Sequence, residues 1–356
     1  MFPPKLCFPF LFTSSFPFHS QKWELTKVSM LEKHFHFVDC SISLKHPGLF
    51  DNSDMLDVSC HKGLHDSNLL IAYRYPTPLD LGQQTLTIQH SVSPEVGIHG
   101  IPINNFSHST NGGVRLSKLS IGIDMNEPSR SSWRNTTGIY LKHFHFRHHG
   151  SGRSISRDED GFSLTRSGDP FDNLMVINQE SRFEDANDHG FIHYRFFMEQ
   201  GISLPPNLRT FNRFKFFASK GVKLGKAFFS SWLSGGSIIG SIAPYQAFAI
   251  GGPNSVRGYG EGAIGSGQSC LVSKSEVQIP LSKKVTSVIF LDCGSDLRSS
   301  RRIPGEPAVR QGKPGTGFGI GYGIRFNTRL GQIKFDYAIN AFQQRTAYFE
   351  ISNPVL

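Results

Sequence analysis

An all-β, transmembrane antiparallel β-barrel is the fold class that this sequence predicts, and three observations lead to it. Near the C-terminal end, three consecutive segments alternate apolar and polar residues with period two. No uninterrupted apolar run reaches the ~18 residues that a membrane-spanning helix requires. The third observation is compositional: 36 glycines and 31 phenylalanines stand beside only 18% charged residues. Hydrophobic residues make up 38% and the mean hydropathy is -0.25, averages that soluble chains also show. A barrel keeps such averages because lipid-facing apolar residues alternate with lumen-facing polar ones. Alternation by itself also fits a soluble β-sandwich or a closed soluble barrel.

The formal net charge is +9, which makes nucleic acid the first partner to test. The Lys and Arg residues are scattered, and no module with stacking aromatics and a defined basic face occurs, so nucleic acid is not expected. A basic lumen, or a basic surface near anionic lipid, accounts for the charge. The five cysteines, Cys7, Cys40, Cys60, Cys270 and Cys293, are odd in number and far apart. That spacing suits neither a disulfide framework nor a tetrahedral zinc site, and free thiols are expected.

In chain order, residues 1–38 form an atypical or disordered N-terminal segment. Its first twenty residues are rich in Phe, Pro and Ser and contain no acid. The prolines break the apolar stretch of a signal peptide, and one Lys without Arg makes a poor transit peptide. Residues 39–356 carry the barrel: short alternating segments separated by Gly, Pro, Asn, Asp and Ser clusters. Strands are expected around 140, 175 and 215, where alternation is imperfect. Ile192, Tyr194, Phe196 and Met198 oppose His193, Arg195 and Glu199. From about Ser269, Leu271, Val277 and Ile279 oppose Lys274, Glu276 and Gln278.

The last three segments are the clearest. Phe318, Ile320, Tyr322, Ile324 and Phe326 face away from Gly317, Gly319, Gly321, Gly323 and Arg325. That run has the ~9 to 11 residues that a tilted strand needs to cross a bilayer. Ile333, Phe335, Tyr337 and Ile339 then alternate with Gln332, Lys334, Asp336 and Asn340. Finally Ala347, Phe349 and Ile351 alternate with Tyr348, Glu350 and Ser352. Arg325, Lys334, Asp336 and Glu350 are thus expected to face the lumen.

A stretch of low alternation, residues 251–262, is a glycine-rich loop presenting Val256, Arg257, Gly258 and Tyr259. On the surface, Arg257 would be solvated. Inside a lumen it requires an acidic partner, because an unpaired buried guanidinium is costly. Glu276 sits on the polar face of its strand. In the segment Phe290 to Gly294, Phe290 and Asp292 share the face opposite Ile289 and Leu291. Both acids are therefore expected to point inward from neighbouring strands, and the planar fork of Arg suits two carboxylates better than Lys does.

The Val256-Arg257-Gly258-Tyr259 loop, the Glu276 strand and the Phe290-x-Asp292-x-Gly294 strand follow the order of the outer-membrane protein assembly superfamily. This group comprises the bacterial surface-antigen barrels and the translocase barrels of mitochondria and chloroplasts, and the chain resembles it. The resemblance implies about 16 strands, an inward loop, and Glu276 and Asp292 as partners of Arg257. Leu330-Gly331 matches a turn of the family, although Arg329 stands where the family usually has Pro. Residues 258–263, 266–272 and 309–315 look like the short plastid outer-envelope type, which lacks soluble POTRA domains. The similarity runs from about His46 to Asn353, and the opening residues do not resemble the family's first strand. A missing or altered first strand is therefore expected, which bears on whether first and last strands pair.

Other constellations are weaker. Gly312-Lys313 is followed by Pro314 where a phosphate-binding loop requires Ser or Thr. Gly319-x-Gly321-x-Gly323 is strand alternation. His143, His145, His148 and His149 lack Cys or carboxylate ligands at fixed spacing, so an interfacial histidine cluster is expected rather than a metal site. Asn105 and Asn135 lie in glycosylation-type triplets, which matter only in the secretory pathway. No Ser/His/Asp set carries a nucleophile turn. The sequence thus points to no catalytic residue, no metal and no cofactor, and not to an enzyme. The resemblance implies a barrel of the chloroplast outer envelope, in contact with lipid, that inserts or translocates polypeptides with other envelope translocon components. A passive pore for ions or small solutes, with Arg325 and Lys334 setting charge selectivity, and an inactive structural relative are the alternatives.

Overall fold

The structure, a computed structural model, describes residues 24–32, 38–48, 54–63, 66–75, 82–94, 114–128, 132–148, 151–158, 160–204, 209–328 and 331–352. The wall begins with β1 (Glu24–Glu32), β2 (Val38–Pro47), β3 (Met55–Lys62), β4 (Ser67–Tyr75), β5 (Gln83–Pro94) and β6 (Val114–Asn126). It continues with β7 (Trp133–His148), β8 (Phe171–Asn187), β9 (Gly190–Ser203), β10 (Thr210–Leu224) and β11 (Ala227–Gly240). A small hairpin, β12 (Phe248–Ile250) with β13 (Gly265–Gly267), stands apart from the wall. The wall resumes with β14 (Ser269–Pro280), β15 (Val285–Ser295), β16 (Thr316–Thr328), β17 (Gly331–Asn340) and β18 (Arg345–Ser352). Among the described residues, sixteen strands pair antiparallel in sequence order, from β1 to β18. Among the described residues no ladder joins β1 to β18.

Period-two alternation decides which side chains meet lipid. Ile139, Leu141, Ile289, Leu291, Phe318, Ile320, Tyr322 and Phe335 are exposed on the outer face. Phe290 and Asp292, which alternate with Ile289 and Leu291, are buried on the inner one, as is Ala338 of β17. At one outer edge Trp133 packs against Phe183, ring centroids 5.3 Å apart, and against Phe196 at 6.0 Å. Such aromatic clusters mark the headgroup level of membrane barrels. No helix among the described residues is long and apolar enough to cross a membrane.

The expectations around residues 140, 175 and 215 correspond to β7, β8 and β10. Their alternation is blurred for a physical reason: their inner face is apolar where loops fold onto it. Connections after odd-numbered wall strands share one rim, and among them are the long ones at 149–170, 241–268 and 296–315. From these loops Ile242 and Ile303 bury themselves against Leu174, Val176, Phe211 and Ile238 of the wall. Leu164 packs with Val114 and Phe146, and Tyr245 closes over them. Arg310 clasps two of the loops together: its Nη2 donates to Asp158 Oδ2 at 2.8 Å, and it also pairs with Asp160. The same guanidinium lies 4.0 Å from the centroid of the Phe162 ring.

One boundary differs from the sequence reading. The segment 1–38, expected to be atypical or disordered, contains β1 at Glu24–Glu32, and β2 starts at Val38. A register irregularity between Leu25 and Lys27 breaks period two inside β1, which hides the strand from an alternation test. The first twenty residues, Asn105 and the Arg329-Leu330 turn lie outside the described residues.

Candidate functional site

Register brings the acids of the wall into one patch. Glu276 of β14 pairs across the ladder with Phe290 of β15. Asp292, two residues on, pairs with Gly319 of β16, and Gly323 pairs with Asp336 of β17. With side chains alternating, Glu276, Phe290, Asp292 and Asp336 all project into the lumen from three strands of the wall.

The loop 241–268 lays Arg257 into this patch. Arg257 Nε donates to Asp292 Oδ2 at 2.6 Å and Nη2 to Asp292 Oδ1 at 2.8 Å, a bidentate pair. The Arg257 backbone amide donates to the same carboxylate at 3.2 Å. Nη1 donates to Glu276 Oε1 at 2.7 Å and to Asp336 Oδ2 at 3.2 Å. The guanidinium plane rests on Phe290, with Cζ 3.5 Å from the ring centroid. Arg257 is 5% exposed and Asp292 0%. In that enclosure the charges are uncovered by water, so every donor of the guanidinium has to find an acceptor in the protein.

Neighbouring contacts fasten the loop backbone. Gly258 N donates to the Tyr348 hydroxyl at 2.8 Å, and that hydroxyl donates to Tyr259 O at 3.2 Å. Asn340 Nδ2 donates to Gly258 O at 2.9 Å. Gly258 has φ +95°, a left-handed conformation that favours glycine. On the wall, a Cβ at Gly319 would lie 1.8 Å from the Arg257 carbonyl oxygen. The glycine face of β16 is thus the bed in which the loop lies.

Of the residues singled out in the sequence, the structure gathers Val256, Arg257, Gly258, Tyr259, Glu276, Phe290, Asp292 and Gly294 into one site. A Cβ at Gly294 would meet Val256 at 2.7 Å. Arg325 also reaches the patch, donating from Nη2 to Asp336 Oδ2 at 3.0 Å. Lys334 lies on the same face and pairs with Glu350 at 3.0 Å, away from Arg257. His143 and His145 fall on the exposed outer face of β7, hydrogen-bonded to Asn173 and Ser154. Among the described residues no three His, Cys, Asp or Glu side chains converge as metal ligands. Cys60, Cys270 and Cys293 are free thiols.

Sequence reasoning missed three participants. Asp336 was legible as a lumen residue but not as a third acid on Arg257, since the approach of β17 depends on the curvature of the wall. Tyr348 and Asn340 lie on polar strand faces, and nothing in a linear pattern ties them to a loop residue 90 and 82 positions away.

Three comparisons bear on this geometry. A family model described as the Omp85 superfamily domain matches residues 74–353. The chain is 55% identical to the chloroplastic outer envelope protein 39 of Arabidopsis thaliana over 313 residues, 88% of this chain and 86% of that protein. It is 36% identical over 303 residues to the chloroplastic outer envelope protein 80 of the same plant, covering 84% of this chain and 40% of that one. Among solved structures, BamA from Haemophilus ducreyi lacking POTRA domains 1–3 aligns with a TM-score of 0.65 at 13% identity. The alignment covers 94% of this chain and 68% of BamA. At that identity the likeness concerns the fold alone.

Proposed function

This chain belongs to the Omp85 superfamily, and on that footing we propose that it helps insert polypeptides into, or move them across, the chloroplast outer envelope in which it sits. The observation that carries this reading is the inward loop locked to the wall through Arg257, in a sheet whose first and last strands share no described ladder. A passive pore requires neither feature. An unpaired strand edge presents free backbone N–H and C=O groups, a template on which an incoming strand pairs. The lock on β14, β15 and β17 keeps the neighbouring arc of the wall rigid while the seam admits that strand. Delivery of substrates to the seam falls, on this reading, to other components of an envelope translocon.

The test uses photo-reactive amino acids placed along β18, along β1 and, as a control, on the outer face of β8, followed by incubation of isolated envelopes with a radiolabelled barrel precursor. Adducts at β1 and β18 but not at β8 are the expected result. Absence of adducts from both edges, together with a steady ion current in planar bilayers that precursor does not alter, would leave the pore reading instead.

A further inference from the structure

A second polar feature of the lumen takes no part in the loop lock. Beside Tyr245 and Gln246 of the long loop, the inner faces of β5 to β10 line a half-open cavity of about 400 Å³. Its walls carry Lys118, Lys142, Arg213 and Lys215 against one carboxylate, Glu199, a net charge of +3. That carboxylate is fully engaged. Its Oε2 accepts from Lys142 Nζ at 2.8 Å and its Oε1 from Arg213 Nη1 at 3.0 Å. Arg213 Nη2 donates to Gln246 O at 2.6 Å, while its Nε is buried with no hydrogen-bond partner among the described residues. Lys118 and Lys215 have no acidic partner among the described residues.

The same barrel shows how structural cations are treated elsewhere. On the arc from β14 to β17, Arg257 and Arg325 are met by three carboxylates, those of Glu276, Asp292 and Asp336. Around Glu199 four cations face a single carboxylate. Like charges held together in a partly enclosed, low-dielectric space repel one another and destabilise the fold, so packing alone does not explain them. An anion entering the cavity removes that repulsion. Ammonium groups suit it as mobile point charges, the way Lys contacts phosphate. The apolar side of the cavity, with Tyr140, Phe144 and Phe197, accepts an uncharged organic part. The volume falls in the range of small-molecule sites, roughly 300 to 1,000 Å³.

We propose that this cavity is a binding site for a small organic anion bearing two or more negative charges, of the phosphate-ester class, held by Lys118 and Lys215 with Arg213 and Lys142 behind them. The site is independent of the loop lock and of polypeptide handling.

The probe is inorganic pyrophosphate, titrated calorimetrically into the purified full chain folded in zwitterionic detergent. Saturable binding at one site is expected, weakening as salt rises. Lys118→Gln combined with Lys215→Gln should lower the affinity about tenfold or more, and Lys334→Gln, at a pair with Glu350 outside the cavity, should leave it unchanged. A thermal unfolding readout separates binding cations from structural ones. Without pyrophosphate the double variant should unfold at or above the wild-type temperature, because repulsion is relieved, and pyrophosphate should no longer raise that temperature. Absence of saturable binding, equal binding by the double variant, or a double variant less stable than wild type without pyrophosphate would each overturn the proposal.

Discussion

Arg257 makes four side-chain hydrogen bonds to three carboxylates while lying flat on Phe290. Only a guanidinium has the planar set of donors that reaches Asp292 in bidentate fashion and still turns Nη1 towards Glu276 and Asp336. Removing one partner of a buried ion pair costs about 3 to 5 kcal/mol, since the other charge is left unpaired. Arg257→Ala should therefore free the loop, seen as faster proteolysis within residues 251–262 and a noisier single-channel current. Arg257→Lys should recover only part of the protection, because one ammonium cannot fork across the carboxylates. In a double-mutant cycle, Arg257→Ala with Asp292→Ala should show a smaller defect than the two single defects summed. Strict additivity in protease protection would mean that the two residues do not act together.

At the scale of elements, the loop and β16 are made for each other. The inner face of β16 is glycine from Gly317 to Gly323 at every second residue, and the Arg257 carbonyl lies against Gly319. A methyl group at 1.8 Å from a backbone oxygen cannot be accommodated by a side-chain rotation. Gly319→Ala should thus lift the loop from the wall without disturbing the outer face of β16. Protease access to the loop should rise, while the heat-dependent shift in gel mobility that marks an intact barrel remains. If Gly319→Ala leaves the loop as protected as in the wild type, the bed lies elsewhere. The long loops act as a second element: Ile242 and Ile303 fill the lumen at one rim by hydrophobic packing, and Arg310 ties two loops together.

For the whole molecule, an outer belt of exposed apolar side chains on successive strands has to be covered by lipid or detergent. The protein should stay in the membrane pellet under alkaline carbonate and show a β-type circular dichroism spectrum in detergent. Recovery of a monodisperse protein in buffer without detergent is the outcome that contradicts this. Asn135 lies within β7, where its side-chain amide donates to Glu127 at 2.9 Å. A chain seated in the plastid envelope should carry no glycan there, as digestion with an N-glycanase followed by a mobility assay would reveal.

What sequence determined by itself was everything that period two controls. It separated Ile289 and Leu291 from Phe290 and Asp292, put Arg325, Lys334, Asp336 and Glu350 on one face, and marked 251–262 as a loop rather than a strand. Alternation is a local property of the extended backbone, and needs no knowledge of which strands meet. Only the tertiary structure decided the rest. The apolar inner faces of β7, β8 and β10 make sense once Ile242, Tyr245 and Ile303 are seen against them. β1 needed its ladder with β2 to be seen at all, because the irregularity after Leu25 interrupts the pattern. Asp336 meets Arg257, Tyr348 meets the backbone of Gly258 and Tyr259, and Lys118 and Lys215 share a cavity with Glu199, because the wall curves far-apart strands around common spaces. Curvature and loop entry are set by packing summed over the whole sheet, and no single segment encodes them.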